Sequence, residues 1–115
     1  MINKKQMTLG TAPLLLLRLL ESEDMYGYRI IEELYQRSDH TFELKAGTLY
    51  PLLHGMEDQG LVTSYEMETT GGRVRKYYHI TERGRTELAA KAEQWHSFAH
   101  AVNLILGEGV CNGAV

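Results

Sequence analysis

The sequence predicts a mainly α fold with one small β-hairpin, arranged as a winged helix-turn-helix followed by a long C-terminal dimerisation helix. Three observations lead there. Apolar residues recur at helical spacing in four separate segments. A single pair of alternating runs flanks a Thr-Thr-Gly-Gly turn. The last helical segment, about 25 residues or roughly 37 Å at 1.5 Å per residue, outruns any core it would lie on.

Thr8 or Thr11 caps the first helix, with Pro13 tolerated in its first turn and an end near Ser22. After the charged break Glu21 to Asp24, a second helix covers roughly Tyr26 to Arg37, with Ile30, Ile31 and Leu34 at helical spacing. Ser38, Asp39 and His40 end it. Thr41 to Leu44 alternate and predict a very short strand. The third helix is read from the stripe Leu49, Leu52, Leu53 and Met56, stopped by Gly60. Pro51 belongs near its first turn, placing the start between Ala46 and Thr48. Leu61 to Met67 alternate as a strand, Thr69 to Gly72 turn, and Arg73 to Ile80 return. Thr81 caps the last helix, about Glu82 to Leu106, and Gly107 stops it. Three helices followed by a two-stranded hairpin is the winged form of the helix-turn-helix. The organisation is 1–81 for the DNA-binding body, 82–107 for the dimerisation helix and 108–115 for a disordered tail.

Composition narrows the function. The chain has 115 residues, one domain's worth, with 43 % hydrophobic and 23 % charged residues, which excludes a disordered or rod-like protein. Cys111 is the single cysteine, so neither a disulfide framework nor a cysteine-based zinc site is available, and a reducing cytoplasm is the expected compartment. Lys4 and Lys5 before the apolar run Leu14 to Leu17 mimic a signal peptide. Arg18 interrupts the run and no small-residue cleavage site follows, so a buried helix is expected and no membrane partner. Net charge is −3, so any polyanion site must be a local patch.

That patch lies at the hairpin. Arg73, Arg75 and Lys76 follow the glycine turn closely, with no acid between Thr69 and Ile80. Glycines let the backbone approach a phosphate and arginines clamp it; the alternative is an edge strand that its charges protect from aggregation. The third helix offers Thr48, Tyr50 and His54 outside its apolar stripe, with Lys45 just before it, while Glu57 and Asp58 come at the far end. Such a gradient directs the helix N-terminus into a DNA groove.

The last helix carries Leu88, Ala92, Trp95, Ala99, Val102 and Leu106 at steps of four and three, a heptad seam, with Phe98, Ala101 and Ile105 beside it. A dimer arm is favoured over a helix folded onto its own domain. Trp95 between two alanines reads either as an interface anchor or as the wall of a pocket, formed with Ala92, Phe98 and Ala99, for a planar aromatic ligand. His96 and His100 stand one turn apart, but no further metal ligand is signalled. No catalytic constellation is found, so no enzyme activity, metal or cofactor is expected.

Four stretches, YGYRII from Tyr26, GTLYPLLHGMEDQGLV from Gly47, GGRVRKYYHIT from Gly71 and the following GRTEL, resemble the PadR-type transcriptional regulators. The resemblance extends over about Leu9 to Leu106. It implies a winged helix-turn-helix, a homodimer joined through the C-terminal helix, and usually repression of target genes; two-fold pairing of the arms makes the expected operator a palindromic duplex. It places Thr48, Tyr50 and Pro51 in the recognition-helix motif, Arg73, Arg75 and Lys76 in the wing, and Tyr77 and Tyr78 as packing residues. A single C-terminal helix is similar to the short branch of the family, some of whose members hold planar aromatic compounds at the dimer interface near a tryptophan comparable to Trp95. The rival reading is a winged-helix adaptor that dimerises and binds protein without DNA; three cations beside a glycine turn argue against it.

Overall fold

The computed structural model describes residues 11–107. Thr8, Cys111 and the expected tail 108–115 lie outside that range. Helix α1 (Thr11–Ser22) leads into a two-residue strand β1 (Met25–Tyr26), helix α2 (Gly27–Arg37) and helix α3 (Ala46–Asp58). Strands β2 (Val62–Glu68) and β3 (Val74–Ile80) form the hairpin, and helix α4 (Glu82–Leu106) follows.

The core is built from one face of every element. Leu16, Leu17, Leu19 and Leu20 of α1 meet Ile30 and Leu34 of α2, Leu49, Leu53 and Met56 of α3, and Val62, Tyr78 and Ile80 of the sheet. Each contributes by the spacing of its own element, three and four residues in the helices and two in the strands. From α4 only Gly84 and Leu88 are buried. The helix therefore projects, and the described chain measures 58 × 28 × 23 Å.

The caps follow the sequence. Thr81 Oγ1 accepts the Gly84 N–H at 2.9 Å, opening α4. Gly107 closes it at φ 84°, the left-handed conformation that a non-glycine residue adopts only at a cost. At the hairpin tip Gly71 and Gly72 take φ of 94° and 80°.

Three expectations change. The sheet has three strands, ordered β1-β3-β2, because Met25 and Tyr26 pair antiparallel with Tyr78 and Tyr77. The short strand expected at Thr41 to Leu44 is irregular chain. Asp39 and His40 take φ of 54° and 67° and reverse the backbone, and Ser38 Oγ accepts the Phe42 N–H at 2.9 Å. The alternation there comes from Phe42 and Leu44 inserting into the core, not from pairing. Pro51 stands in the second turn of α3, deeper than expected. The N–H it lacks would have bonded the Gly47 carbonyl, and Gly47 is exposed, so that carbonyl faces solvent.

Candidate nucleic-acid interface

The outward strip of α3 is Gly47, Pro51, His54 and Asp58, all exposed. Thr48 and Tyr50 lie half-buried on the flanks, and exposed Lys45 is the N-cap residue. No side chain caps α3; the Lys45 carbonyl accepts from the Thr48 and Leu49 N–H groups at 2.9 Å each. Exposed Asp58 stands at the opposite end, so the order of basic and acidic residues along the helix is present in space.

Tyr50 is the residue that joins α3 to the wing. Its ring covers the start of α2 and lines a groove of about 210 Å³ together with Gly27, Tyr28, Arg73, Arg75 and Lys76. Thus the hairpin cations and one flank of α3 meet around a shared hollow. Arg73 and Lys76 are exposed, and no ion pair among the described residues engages any of the three cations. These cations are free of ion pairs in a hairpin that also carries Glu66 opposite Lys76 and Glu68 opposite Val74; cations left unpaired are what a phosphate backbone requires. Pro51 lies elsewhere: it lines a separate groove with Pro13 and Lys91.

On the other face of the sheet an aromatic row crosses all three strands. Tyr65 and Tyr77 stack at 5.7 Å, and Tyr77 meets Tyr26 edge-on at 5.4 Å. Asp24 anchors the row by accepting from the Tyr65 hydroxyl at 2.7 Å and pairing with His79 Nδ1 at 2.8 Å. Burial of the Asp24 carboxyl works to raise its pKa, but these two hydrogen bonds and the facing His79 outweigh it and hold the group below its ordinary value. Tyr78, on the core side, is pushed up, chiefly by burial and also by nearby Tyr50 and Glu57; its hydroxyl has no hydrogen-bond partner among the described residues. The sequence reading did not single out Tyr26, Gly27 or Asp24 as site residues. Only the YGYRII stretch flagged the first two.

The α4 seam starts buried at Leu88 and ends in solvent. Ala92 and Ala99 are half-buried, Trp95 is 48 % exposed, and Phe98 and Leu106 are more than 60 % exposed. Ile105, at 87 %, marks how little of the distal helix the body covers. Between α1 and α4 lies a groove of about 470 Å³, walled by Leu14, Leu15, Leu88, Ala92 and Trp95, with Arg18 and Arg85 at its edge. Of the four residues expected around a ligand, Trp95 and Ala92 line this groove; Phe98 and Ala99 do not, although Phe98 packs 6.0 Å from Trp95. His96 lines it too, and no group of three or more metal-ligating side chains occurs among the described residues. No described helix is long and apolar enough to cross a membrane.

Comparison with known proteins agrees with this architecture. The model of the transcriptional regulator PadR-like family matches residues 16–90. Transcriptional regulator Rv3488 of Mycobacterium tuberculosis is 34 % identical over 79 residues, covering 69 % of this chain and 70 % of that protein. Among solved structures, a PadR-like transcriptional regulator from Bacillus cereus superposes with a TM-score of 0.77 at 30 % identity, covering 88 % of this chain and 96 % of the other. A PadR family transcription regulator from Clostridium difficile gives 0.70 at 36 % identity, covering 82 % and 96 %.

Proposed function

The chain belongs to the PadR-like family of transcriptional regulators, and from that premise we propose that it is a homodimeric, sequence-specific repressor released by a planar aromatic ligand. It is a DNA-binding transcription regulator and not an enzyme. The observation that carries the repressor reading is the groove where Arg73, Arg75 and Lys76 meet Tyr50 of α3. In this reading the cations hold backbone phosphates, while the N-terminal half of α3, with Lys45, Thr48, Tyr50, Pro51 and His54, enters the DNA major groove and reads bases. Residues 1–81 form the DNA-binding body and 82–107 the dimerisation helix, all acting in the cytoplasm.

The dimer reading rests on the exposed distal seam of α4. Trp95, Phe98, Val102, Ile105 and Leu106 together are more apolar surface than a soluble monomer leaves open. A two-fold pairing through this seam sets two α3 helices about 34 Å apart, one DNA turn, and the operator is then palindromic. The ligand reading rests on the groove at Trp95, whose size falls within the roughly 300–1,000 Å³ usual for small-molecule sites. A flat ring stacks there on Trp95 and shifts the helix that carries the DNA-binding body.

Selection from a random duplex pool, with light scattering of the same sample, tests the reading. The expected results are an enriched palindrome bound with a steep salt dependence, a dimer at micromolar concentration, and reduced transcription from a template carrying the site. A pool that yields no enriched duplex at low salt refutes the repressor reading.

A further inference from the structure

We propose that Tyr26 and Gly27, at the turn from β1 into α2, are positioning residues that set the recognition helix and the wing relative to each other. The inference rests on the DNA-binding reading above and adds two residues that reading did not contain.

Gly27 is the first residue of α2 and is buried. A Cβ built there would fall 2.1 Å from the Tyr50 hydroxyl oxygen and 2.6 Å from Cζ of the same ring. Tyr50 therefore occupies the space a side chain at 27 would need. The atoms in the way are the tip of a ring that can swing about χ1, so alanine at 27 displaces Tyr50 without breaking the backbone. The absence of a Cβ at 27 is what seats Tyr50 against the groove.

Tyr26 acts on the other side of the same turn. The Arg75 guanidinium carbon lies 4.2 Å from the centroid of the Tyr26 ring, a cation–π contact. That ring is fixed in turn by its edge against Tyr77 and by the backbone pairing of Tyr26 with Tyr77. Arg75 is half-buried, whereas Arg73 and Lys76 are exposed. Arg75 thus has the closer aromatic rest of the wing cations, at 4.2 Å against 5.8 Å for Lys76 Nζ over the Tyr78 ring, and that rest fixes where its charge stands. Two adjacent residues hold one group on α3 and one on β3, both lining the same groove. A turn built this way converts two mobile side chains into a preset pair, which lowers the ordering cost when DNA arrives.

The test measures affinity for the selected duplex and for a scrambled duplex in Tyr26→Phe, Tyr26→Ala, Gly27→Ala, Arg75→Ala, Tyr50→Ala and the doubles Tyr26→Ala/Arg75→Ala and Gly27→Ala/Tyr50→Ala. Melting curves accompany each, and losses are compared among variants that remain folded. Tyr26→Ala should weaken cognate binding about 2- to 30-fold, the range of a cation–π contact, while Tyr26→Phe keeps it. Each double should bind no more weakly than Arg75→Ala or Tyr50→Ala alone, because each positioning residue acts through its partner. Gly27→Ala should reproduce the altered sequence preference of Tyr50→Ala. Losses that add in full in the doubles, or wild-type cognate affinity in Gly27→Ala and Tyr26→Ala, overturn the proposal and leave the DNA reading standing. Wild-type affinity in Arg75→Ala and Tyr50→Ala overturns the proposal together with that assignment of the interface.

Discussion

Substituting Gly84 by alanine tests how α4 is joined to the body. Gly84 lies in the first turn of α4 over the loop that enters β2. A Cβ there would stand 2.2 Å from the Leu61 carbonyl oxygen and 2.8 Å from Ile80 Cγ1. Reaching ordinary contact at 3.4 Å requires a movement of about 1.2 Å. The carbonyl is not free to make it, since it accepts from both the Thr81 N–H and the Thr81 hydroxyl at 3.0 Å. Helix α4 must lift instead, which strains the 2.9 Å cap from Gly84 N–H to Thr81. Overpacking of this kind costs about 1–3 kcal/mol and a weakened cap about 1 more. The helix-propensity gain of alanine over glycine returns about 1 kcal/mol. The net loss of about 1–3 kcal/mol corresponds to a drop of roughly 5–20 °C in melting temperature for a chain this size. Gly55→Ala is the matched control: it sits inside α3 with nothing within 4 Å of a built Cβ, so it should gain about 0.5–1 kcal/mol. Circular dichroism melts at one fixed protein concentration read both. A Gly84→Ala protein that melts at or above wild type would refute the close-approach argument.

Three further outcomes are expected. Asp24 titrates below its ordinary 3.8, so its ionised contacts stabilise the fold at neutral pH, and that contribution disappears as pH falls through the folded-state value. Because the group is partly solvated, Asp24→Asn should cost under about 1 kcal/mol at pH 7 and nothing in strong acid, as followed by denaturant titrations across the acid range. Ala99→Asp places a charge in the half-buried part of the α4 seam and should convert the proposed dimer to monomer in light scattering, with loss of DNA affinity. Trp95, the single tryptophan, should show saturable fluorescence quenching by planar aromatic dyes that operator DNA antagonises; coupling of about 1–3 kcal/mol gives a 5- to 150-fold effect. Unchanged fluorescence across a broad panel leaves Trp95 as a packing anchor.

The elements with a period were legible in the sequence. Leucine spacing placed α1 and α3, the Thr-Thr-Gly-Gly turn placed the hairpin, and Thr81 with Gly107 bounded α4. What stayed hidden has no period to show. Strand β1 is two residues long, and its existence depends on Tyr77 and Tyr78 lying beside it. The stretch Thr41 to Leu44 alternates because of burial alone, after two left-handed residues that local sequence does not announce. The interface divides in the same way. Charge at Arg73, Arg75 and Lys76 could be read directly. The packing of Tyr50 over Gly27 and of Arg75 on Tyr26 joins residues far apart in the chain, and only the fold brings them together.

The way α4 is held has a mechanical consequence. Its last fully buried residue is Leu88, and the helix continues to Leu106. That leaves a stiff arm of about 27 Å with its pivot at one end. A tilt of 5° at the pivot carries the far end about 2.4 Å sideways, half a helical turn's pitch. Trp95 lies two turns beyond the pivot, on the wall that α1 faces. A wedge seated there acts close to the pivot, so a displacement of about 0.9 Å at the groove is multiplied more than twofold at the tip.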